Sequence, residues 1–157
     1  MTTVMARGTF DVVHPGHVHH LTEAAAVGSE LYVIVARLQN VTHEPNPILS
    51  NEQRRETVEA LAIVDEAVLG HPEDVFVPID WIGPDVIVPG YDQHHDEDSL
   101  ADALAARGHE CRVERGSQAD TDGGIITSSD TIVERVLDQR GRMQTEVRSP
   151  ERRHQYL

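Results

Sequence analysis

The fold of this chain is decided by residues 2–20, which read TTVMARGTFDVVHPGHVHH. The run at 2–6 predicts a first strand, and the turn GTFD at 8–11 follows it. Residues 15–27 predict a helix, because proline suits a first helical turn and Gly28 suits a helix end. The stretch therefore predicts strand, turn and helix in succession.

Further along the chain, strand-like runs continue to alternate with helical stretches. Ser50 and Gln53 have the spacing of a capping box, which predicts the start of a second helix. Strands are expected at 31–36, 67–69, 85–88 and 109–114, and helices from Ser50, weakly over 73–82, and over 100–107 and 129–140. This alternation predicts a single-domain α/β fold with a parallel, five-stranded, doubly wound sheet.

The length and the apolar content bound the organisation of the chain. Its 157 residues fit one domain, which we expect to span residues 1–141, followed by a polar tail at 142–157. The N-terminus is too short and polar for a signal peptide, and no apolar run approaches the roughly 18 residues of a membrane span. Cys111 is the only cysteine, so no internal disulfide forms. We expect a soluble cytoplasmic protein that binds no membrane.

The charge of the chain is strongly negative. There are 27 acids against 13 bases, the formal net charge is -14, and every base is arginine. Nucleic-acid binding is not expected, since it needs a basic face. A lysine-free, acid-rich composition is typical of salt-accumulating microbes, in which about 1 M salt shortens the Debye length to about 3 Å. An ordinary acidic protein with an arginine bias is the alternative.

The turn after the first strand is the candidate site. Ligands of doubly wound sheets bind beyond the carboxyl ends of the strands. Gly8 allows a close backbone approach, and Gly16 lies at a helix N-terminus, where amide groups attract anions. His14 and His17 project from the same side of the first turn and can donate hydrogen bonds to phosphate oxygens.

Two other interpretations of these histidines remain open. They can act as a helix cap or as surface residues, or they can bind a metal together with His19 and His20. The metal interpretation lacks the cysteine or acid that would complete a zinc site. Neither a dinucleotide fingerprint nor a Walker A sequence is present.

GTFD followed by HPGH resembles the signature of the nucleotidylyltransferase superfamily that carries H-x-G-H, over about residues 3–137. The resemblance implies a Rossmann-like fold and a catalytic role for His14 and His17. It further implies nucleotide binding by residues of the first turn and of two later segments, GYDQ at 90–93 and ITSS at 126–129, the second of which is similar to the family segment that holds the triphosphate. These implied nucleotide-binding residues are Gly8, Thr9, Phe10, Pro15, Gly16, Gly90, Asp92, Thr127 and Ser128.

Within that superfamily the chain is most similar to the archaeal-type FAD synthases. The similarity rests on VAR at 35–37, VDEAVLG at 64–70 and GYDQH at 90–94. It implies that ATP and FMN are the substrates, that FAD and pyrophosphate are the products, that a divalent cation, Mg²⁺, takes part, and that the protein is a homodimer. Arg37, Arg54 and Arg115 are candidate counter-charges for phosphates.

The sequence departs from the family pattern at two places. Residues 38–49 contain no base where relatives often carry lysines, and Asp130 replaces the lysine that often follows the last phosphate segment. Transfer to another phosphorylated acceptor, such as glycerol phosphate or phosphopantetheine, and nucleotide or flavin binding without turnover are therefore kept as alternatives. Trp81 and Tyr91 either stack on a flavin or simply pack.

Overall fold

One sheet of five parallel strands organises the computed structural model of the chain, which describes residues 1–41, 46–89, 97–117 and 128–147. The strand order is β3-β2-β1-β4-β5. The strands are β1 Thr3–Gly8, β2 Glu30–Val35, β3 Glu66–Leu69, β4 Val86–Val88 and β5 Arg112–Val113. The parallel sheet and its helical crossovers confirm the predicted Rossmann-like α/β fold.

The helices cover both faces of the sheet. They are α1 Pro15–Ala26, α2 Asn51–Glu59, α3 Val77–Ile82, α4 Glu97–Ala106 and α5 Ser129–Val147, and a short 3₁₀ turn spans Leu38–Asn40. On one face, Leu21 of α1 and Val58 of α2 pack on Val4 and its neighbours. On the other face, Ile79 of α3 and Leu104 of α4 pack in the cluster that contains Met5. Because successive strand residues point to opposite faces, each buried strand serves both cores.

Local signals in the sequence account for the start of α2 and the end of α4. Ser50 accepts a hydrogen bond from the Gln53 amide, and the Gln53 side chain accepts one from the Ser50 amide, which is the predicted capping box. At the end of α4, Gly108 has a φ of 86°, a left-handed conformation that favours glycine. The amides of Gly108 and His109 return to the carbonyls of Ala105 and Leu104.

Several predicted boundaries are wrong, since α3 begins at Val77 and not at residue 73, and α4 spans Glu97–Ala106 and not 100–107. The strand expected at 109–114 is reduced to Arg112–Val113. The last helix does not end at Gly141 but continues to Val147. Gly141 is not in the left-handed conformation of a helix end, and glycine inside a helix costs only about 1 kcal/mol relative to alanine. Within the described ranges, no helix has both the length and the apolar character needed to cross a bilayer.

Candidate active site at the switch point of the sheet

The candidate site lies where the strand order reverses. β1 stands between β2, which follows it in the chain, and β4, which is reached only after two further crossovers. Gly8 at the end of β1 is level with Val35 of β2, and Ala6 is level with Val88 of β4. Ligands of open α/β sheets bind in the crevice at such a point, so the turn after Gly8 occupies the expected position.

His14 and His17 form the N-terminal cap of α1 with each other. His14 Nδ1 accepts a hydrogen bond from the Gly16 amide at 3.0 Å, and His17 Nδ1 accepts one from the His14 amide at 3.3 Å. Pro15 is the first helical residue and has no amide proton to satisfy. The Gly16 amide therefore donates to His14 in this structure, and the nucleotide-binding role of Gly16 stays a prediction.

This cap fixes the position of the proton on each ring. A backbone N–H can only donate, so each Nδ1 is an unprotonated acceptor and each neutral ring carries its proton on Nε2. The two rings are stacked, with centroids 3.8 Å apart and planes 25° apart. Each Nε2–H therefore lies on the ring side that faces away from the helix amides, and in His17 it is the donor of a hydrogen bond to the Val12 carbonyl.

The surroundings of His17 keep it neutral. Burial lowers the pKa of His17 to about 3, and the neighbouring rings of His14 and His20 act in the same direction. A hydrogen bond with the Val12 carbonyl and the charge of Asp11 act in the opposite direction and are weaker. At neutral pH His17 is consequently a hydrogen-bond donor and not a fixed cation.

The buried ring of Phe10 packs against the ring of His17. Phe10 is the one non-glycine residue with a positive φ in the part of the chain that the structure describes, at 52°, and its side chain is 1% exposed. Its ring lies 5.1 Å from the His17 ring, and a Cβ on Gly8 would stand 2.9 Å from the Phe10 ring. The side chain of Phe10 is therefore not available to a nucleotide, and Gly8 is required by this packing.

The N-terminus of α5 meets the same turn. The Ser129 hydroxyl donates to the Val12 carbonyl at 3.3 Å, and the Ser128 hydroxyl accepts from the Asp130 amide at 3.2 Å. The structure thus brings the predicted phosphate-binding Ser128 beside the histidine turn, although 114 residues separate Ser128 from His14 in the numbering of the chain.

Arg54 is buried and fully engaged with the protein. Its side chain is 0% exposed. Its guanidinium donates to the carbonyls of Leu49, Thr9 and Ala36 at 3.2, 2.8 and 2.7 Å, and to Asn51 Oδ1 at 2.6 Å. These bonds correct the expectation of an open phosphate counter-charge, because the donors of Arg54 already hold together the loops that follow β1 and β2.

Asp11 strengthens the same connection. Its carboxylate accepts hydrogen bonds from the amides of Ile48 and Leu49, at distances of 2.8–2.9 Å. The loop before α2 is thereby tied to the turn that carries the histidines. In this structure Asp11 therefore holds the loop before α2 in place.

The other two candidate arginines lie at the edge where the strands end. Arg37 follows β2, and its Nε donates to the Gly70 carbonyl at 2.5 Å. Arg115 follows β5 in a segment that is fastened to its surroundings on both sides. The Gly116 amide donates to the Pro89 carbonyl at 3.2 Å, and the Ser117 amide donates to Glu23 of α1 at 2.8 Å.

Sequence reasoning missed two groups at this edge. Glu23 and His19 of α1 both contact Ser117 and so hold the segment after β5, but nothing in the sequence pairs residues so far apart. Arg7 lies inside the apolar first strand, and burial lowers its pKa. A charged residue within a buried strand is a signal that could have identified Arg7 as a site residue.

Several predicted residues fall outside the described part of the chain. These are Gly90, Asp92 and Thr127, together with Tyr91. Among the described residues, no three His, Cys, Asp or Glu side chains converge as they would around a metal ion.

Comparison with known proteins identifies relatives over most of the chain. The family model described as cytidylyltransferase-like matches residues 5–144. The FAD synthase of Halorubrum lacusprofundi is 62% identical over 143 residues, which cover 90% of this chain and 93% of that protein. The FAD synthase of Haloferax volcanii is 55% identical over 141 residues, which cover 89% of this chain and 99% of that protein. Both organisms are haloarchaea, in agreement with the predicted halophilic origin.

A solved structure supports the fold. The crystal structure of the lipopolysaccharide core biosynthesis protein from Thermoplasma volcanium GSS1 superimposes with a TM-score of 0.74 at 37% identity. The match covers 76% of this chain and 99% of that protein. The similarity therefore spans nearly the whole of that structure.

Proposed function

This chain belongs to the cytidylyltransferase-like family, and from this premise we infer that it is an FAD synthase, which transfers AMP from ATP to FMN and releases pyrophosphate. The observation that carries the inference is the identity of 62% with a curated FAD synthase over 90% of the chain. The histidine pair at the switch point of the sheet supplies the matching chemistry.

The reaction needs no general base from the protein. A phosphate oxygen of FMN is the nucleophile, and it is already ionised near neutral pH. It forms a bond to the α-phosphorus of ATP while the bond from that phosphorus to the pyrophosphate oxygen breaks. The protein must therefore supply alignment and stabilise the charge that develops on the phosphate oxygens.

His14 and His17 are suited to that charge stabilisation. The helix cap fixes the orientation of both rings and makes Nε2–H the donor of each, and we assign the His17 donor to exchange the Val12 carbonyl for a phosphate oxygen when the nucleotide binds. Because the rings are held in place before the substrate arrives, little reorganisation is needed at the transition state. We assign them to the non-bridging oxygens of the α-phosphate and to the departing pyrophosphate.

The remaining phosphates of ATP belong to the neighbouring segments. Ser128 stands at the N-terminus of α5, where a helix favours anions, and the Ser129–Val12 hydrogen bond holds that terminus beside the histidine turn. Thr127 extends the same segment. We assign Thr9, Pro15 and Gly16 to the floor of the nucleotide site, Gly90 and Asp92 to contacts with the nucleoside, and Arg115 to the outer phosphates.

A divalent cation is expected to enter with the nucleotide as part of the substrate, MgATP. Mg²⁺ is commonly held by one or two carboxylates together with substrate phosphates and water. Among the described residues no three potential metal ligands converge. We therefore propose that the triphosphate itself supplies most of the ligands of the ion. The choice of Mg²⁺, the homodimer and the cytoplasmic location are part of the same proposal.

Product analysis tests the proposed function. The protein is incubated in high KCl with Mg²⁺ and each of four substrate pairs, FMN or glycerol 3-phosphate with ATP or CTP, and the products are separated by chromatography. FAD and pyrophosphate from FMN and ATP are expected. Formation of CDP-glycerol without any flavin dinucleotide would replace the assignment by a cytidylyltransferase, and no reaction in any pair would favour a binding protein.

A further inference from the structure

An open cleft lies between the edge strand β3 and helix α3, on the face of the sheet opposite α1. Its volume is about 230 Å³, and its mainly apolar lining includes Arg37, Leu69, Gly70, His71, Val77 and Trp81. Trp81 is the only tryptophan of the chain, and its side chain is 64% exposed. Tyr32 contacts it edge-on, with ring centroids 6.5 Å apart and an interplanar angle of 83°, which orients the indole.

The cleft continues toward the catalytic turn. A second cavity, of about 80 Å³, shares Gly70 and His71 with it and extends to Arg7 of β1 and to Ala36, which directly follows β2. The two cavities thus meet at Gly70 and His71, just after β3, so they connect the cleft above Trp81 with the ends of β1 and β2.

The length of this path suits the acceptor. Gly8, Val35 and Leu69 are level across β1, β2 and β3, so the ends of β3 and β1 are separated by two strand spacings, about 10 Å. In FMN, seven bonds join the ring nitrogen to the phosphorus. At about 1.2 Å of advance per bond in an extended chain, they span about 8 Å. A ring that lies in the cleft with its ribityl end at Gly70 therefore delivers its phosphate close to the turn after Gly8.

Polar groups of the cleft are held in place. Arg37 is anchored by its Nε on the Gly70 carbonyl, and it lines the cleft at the point where the two cavities meet. His71 Nδ1 accepts hydrogen bonds from the amides of Glu73 and Asp74 at 3.1 and 3.0 Å. Because Nδ1 is an acceptor, Nε2 is the nitrogen of His71 that can donate to a ring heteroatom.

We propose that this cleft binds the isoalloxazine ring of FMN against Trp81, with Arg37 placed at the phosphate end. The inference rests on the proposed function and names the acceptor site. The volume of the cleft is below the roughly 300 Å³ at which sites for whole drug-sized ligands begin, so it suits the flat ring alone while the ribityl phosphate follows the path. The single base in its lining complements an anionic acceptor.

Binding of two flavins to three variants tests the proposal, with flavin fluorescence and calorimetry in high KCl as readouts that do not need turnover. Trp81→Ala removes the stacking surface and should weaken FMN and riboflavin alike, by about fivefold or more. Arg37→Gln should weaken FMN about tenfold but change riboflavin, which lacks the phosphate, by less than about twofold. The control Leu137→Ala, at an exposed position of α5, should change neither affinity.

Steady-state kinetics add a second readout. Trp81→Ala should raise the KM for FMN and leave the KM for ATP unchanged. FMN and riboflavin affinities that are unaltered in Trp81→Ala overturn the proposal, as does an Arg37→Gln variant that weakens both flavins equally. If Trp81→Ala dissociates a dimer in sedimentation while flavin affinity persists, the cleft is an interface between two copies and the proposal is wrong.

The two inferences fail in different ways. If the protein makes FAD but Trp81→Ala keeps a normal KM for FMN, the cleft assignment fails and the proposed function stands. If FMN binds in a Trp81-dependent manner but no FAD forms, the cleft assignment stands and the proposed function fails.

Discussion

At the scale of single residues, the histidine pair combines a structural and a chemical task. A serine or aspartate would cap α1 through one side-chain oxygen, whereas here each imidazole accepts one backbone amide and keeps a second nitrogen for other partners. The cap therefore fixes the orientation and the protonation of the groups assigned to the phosphates. The spacing H-x-x-H is required because the fourth residue of the motif returns to the amide of the first.

His17→Ala should reduce kcat by about 10²–10³, which corresponds to the loss of one pre-oriented transition-state donor. The KM for ATP should change less, since the other phosphate contacts persist. Turnover of FMN and ATP in high KCl measures both quantities. His109→Ala, a histidine paired with Asp80 far along the chain from the site, is the control, and a His17→Ala variant as active as this control would contradict the role.

The low pKa of His17 predicts a dependence of stability on pH. The unfolded chain takes up a proton on His17 near pH 6.5, while the folded protein does so only near pH 3. The contribution of neutral His17 to the free energy of unfolding is therefore complete above pH 6.5. It decreases as the pH falls, and at pH 5 the free energy of unfolding is lower by about 2 kcal/mol. Denaturation of wild type and His17→Gln at pH 7.5 and pH 5 measures it, and an equal loss in both proteins would contradict the assignment.

The sequence predicts the identity of these residues better than their contacts. His14, His17 and Ser128 could be selected because their motifs are local and lie at predicted strand or helix ends. The use of the Gly16 amide by His14, the burial of Phe10 and the engagement of Arg54 could not be predicted. Each depends on a side-chain direction or on a partner that folding brings from another element.

At the scale of secondary-structure elements, the reliable predictions are those with a local physical cause. The capping box at Ser50 and the left-handed Gly108 act within a few residues, so the sequence alone places these helix ends. β5 and α5 depend on their surroundings. Among the described residues β5 pairs only with β4, over two positions, and α5 continues through Gly141, whose backbone is not in the left-handed conformation.

The hydrogen bonds by which Arg54 of α2 holds the loops after β1 and β2 can be tested by substitution. Arg54→Met keeps the length of the side chain but leaves the carbonyls of Thr9, Ala36 and Leu49 without their donor, and it should lower the free energy of unfolding by about 3 kcal/mol or more. The neighbouring Arg55 pairs with Glu52 and Glu59 at the surface, so Arg55→Met should cost about 1 kcal/mol or less. Chemical denaturation in KCl compares the two, and equal losses would show that Arg54 has no special structural role.

At the scale of the whole molecule, the negative net charge of the chain opposes the binding of its proposed substrates. The proposed substrates are anions that must approach a chain with a net charge of -14, and the arginines of the edge are few. Arg54 is used inside the protein, whereas Arg37 and Arg115 lie at the carboxyl ends of β2 and β5. The approach of ATP and FMN therefore depends on conditions that weaken the long-range repulsion of the acids while leaving short-range contacts intact.

Both stability and catalysis should accordingly increase with KCl. Between 0.1 M and 1 M salt the Debye length falls from about 10 Å to about 3 Å, so repulsion among the 27 acids is largely screened by about 1 M. The melting temperature should rise steeply over this interval and then level off, and the KM values for ATP and FMN should fall together. Thermal melts and kinetics across a KCl series measure these changes, with sucrose as a non-ionic control that should not lower KM. A melting temperature that is flat or decreasing with KCl would refute the electrostatic account, because the unscreened acids would then not limit the folded state.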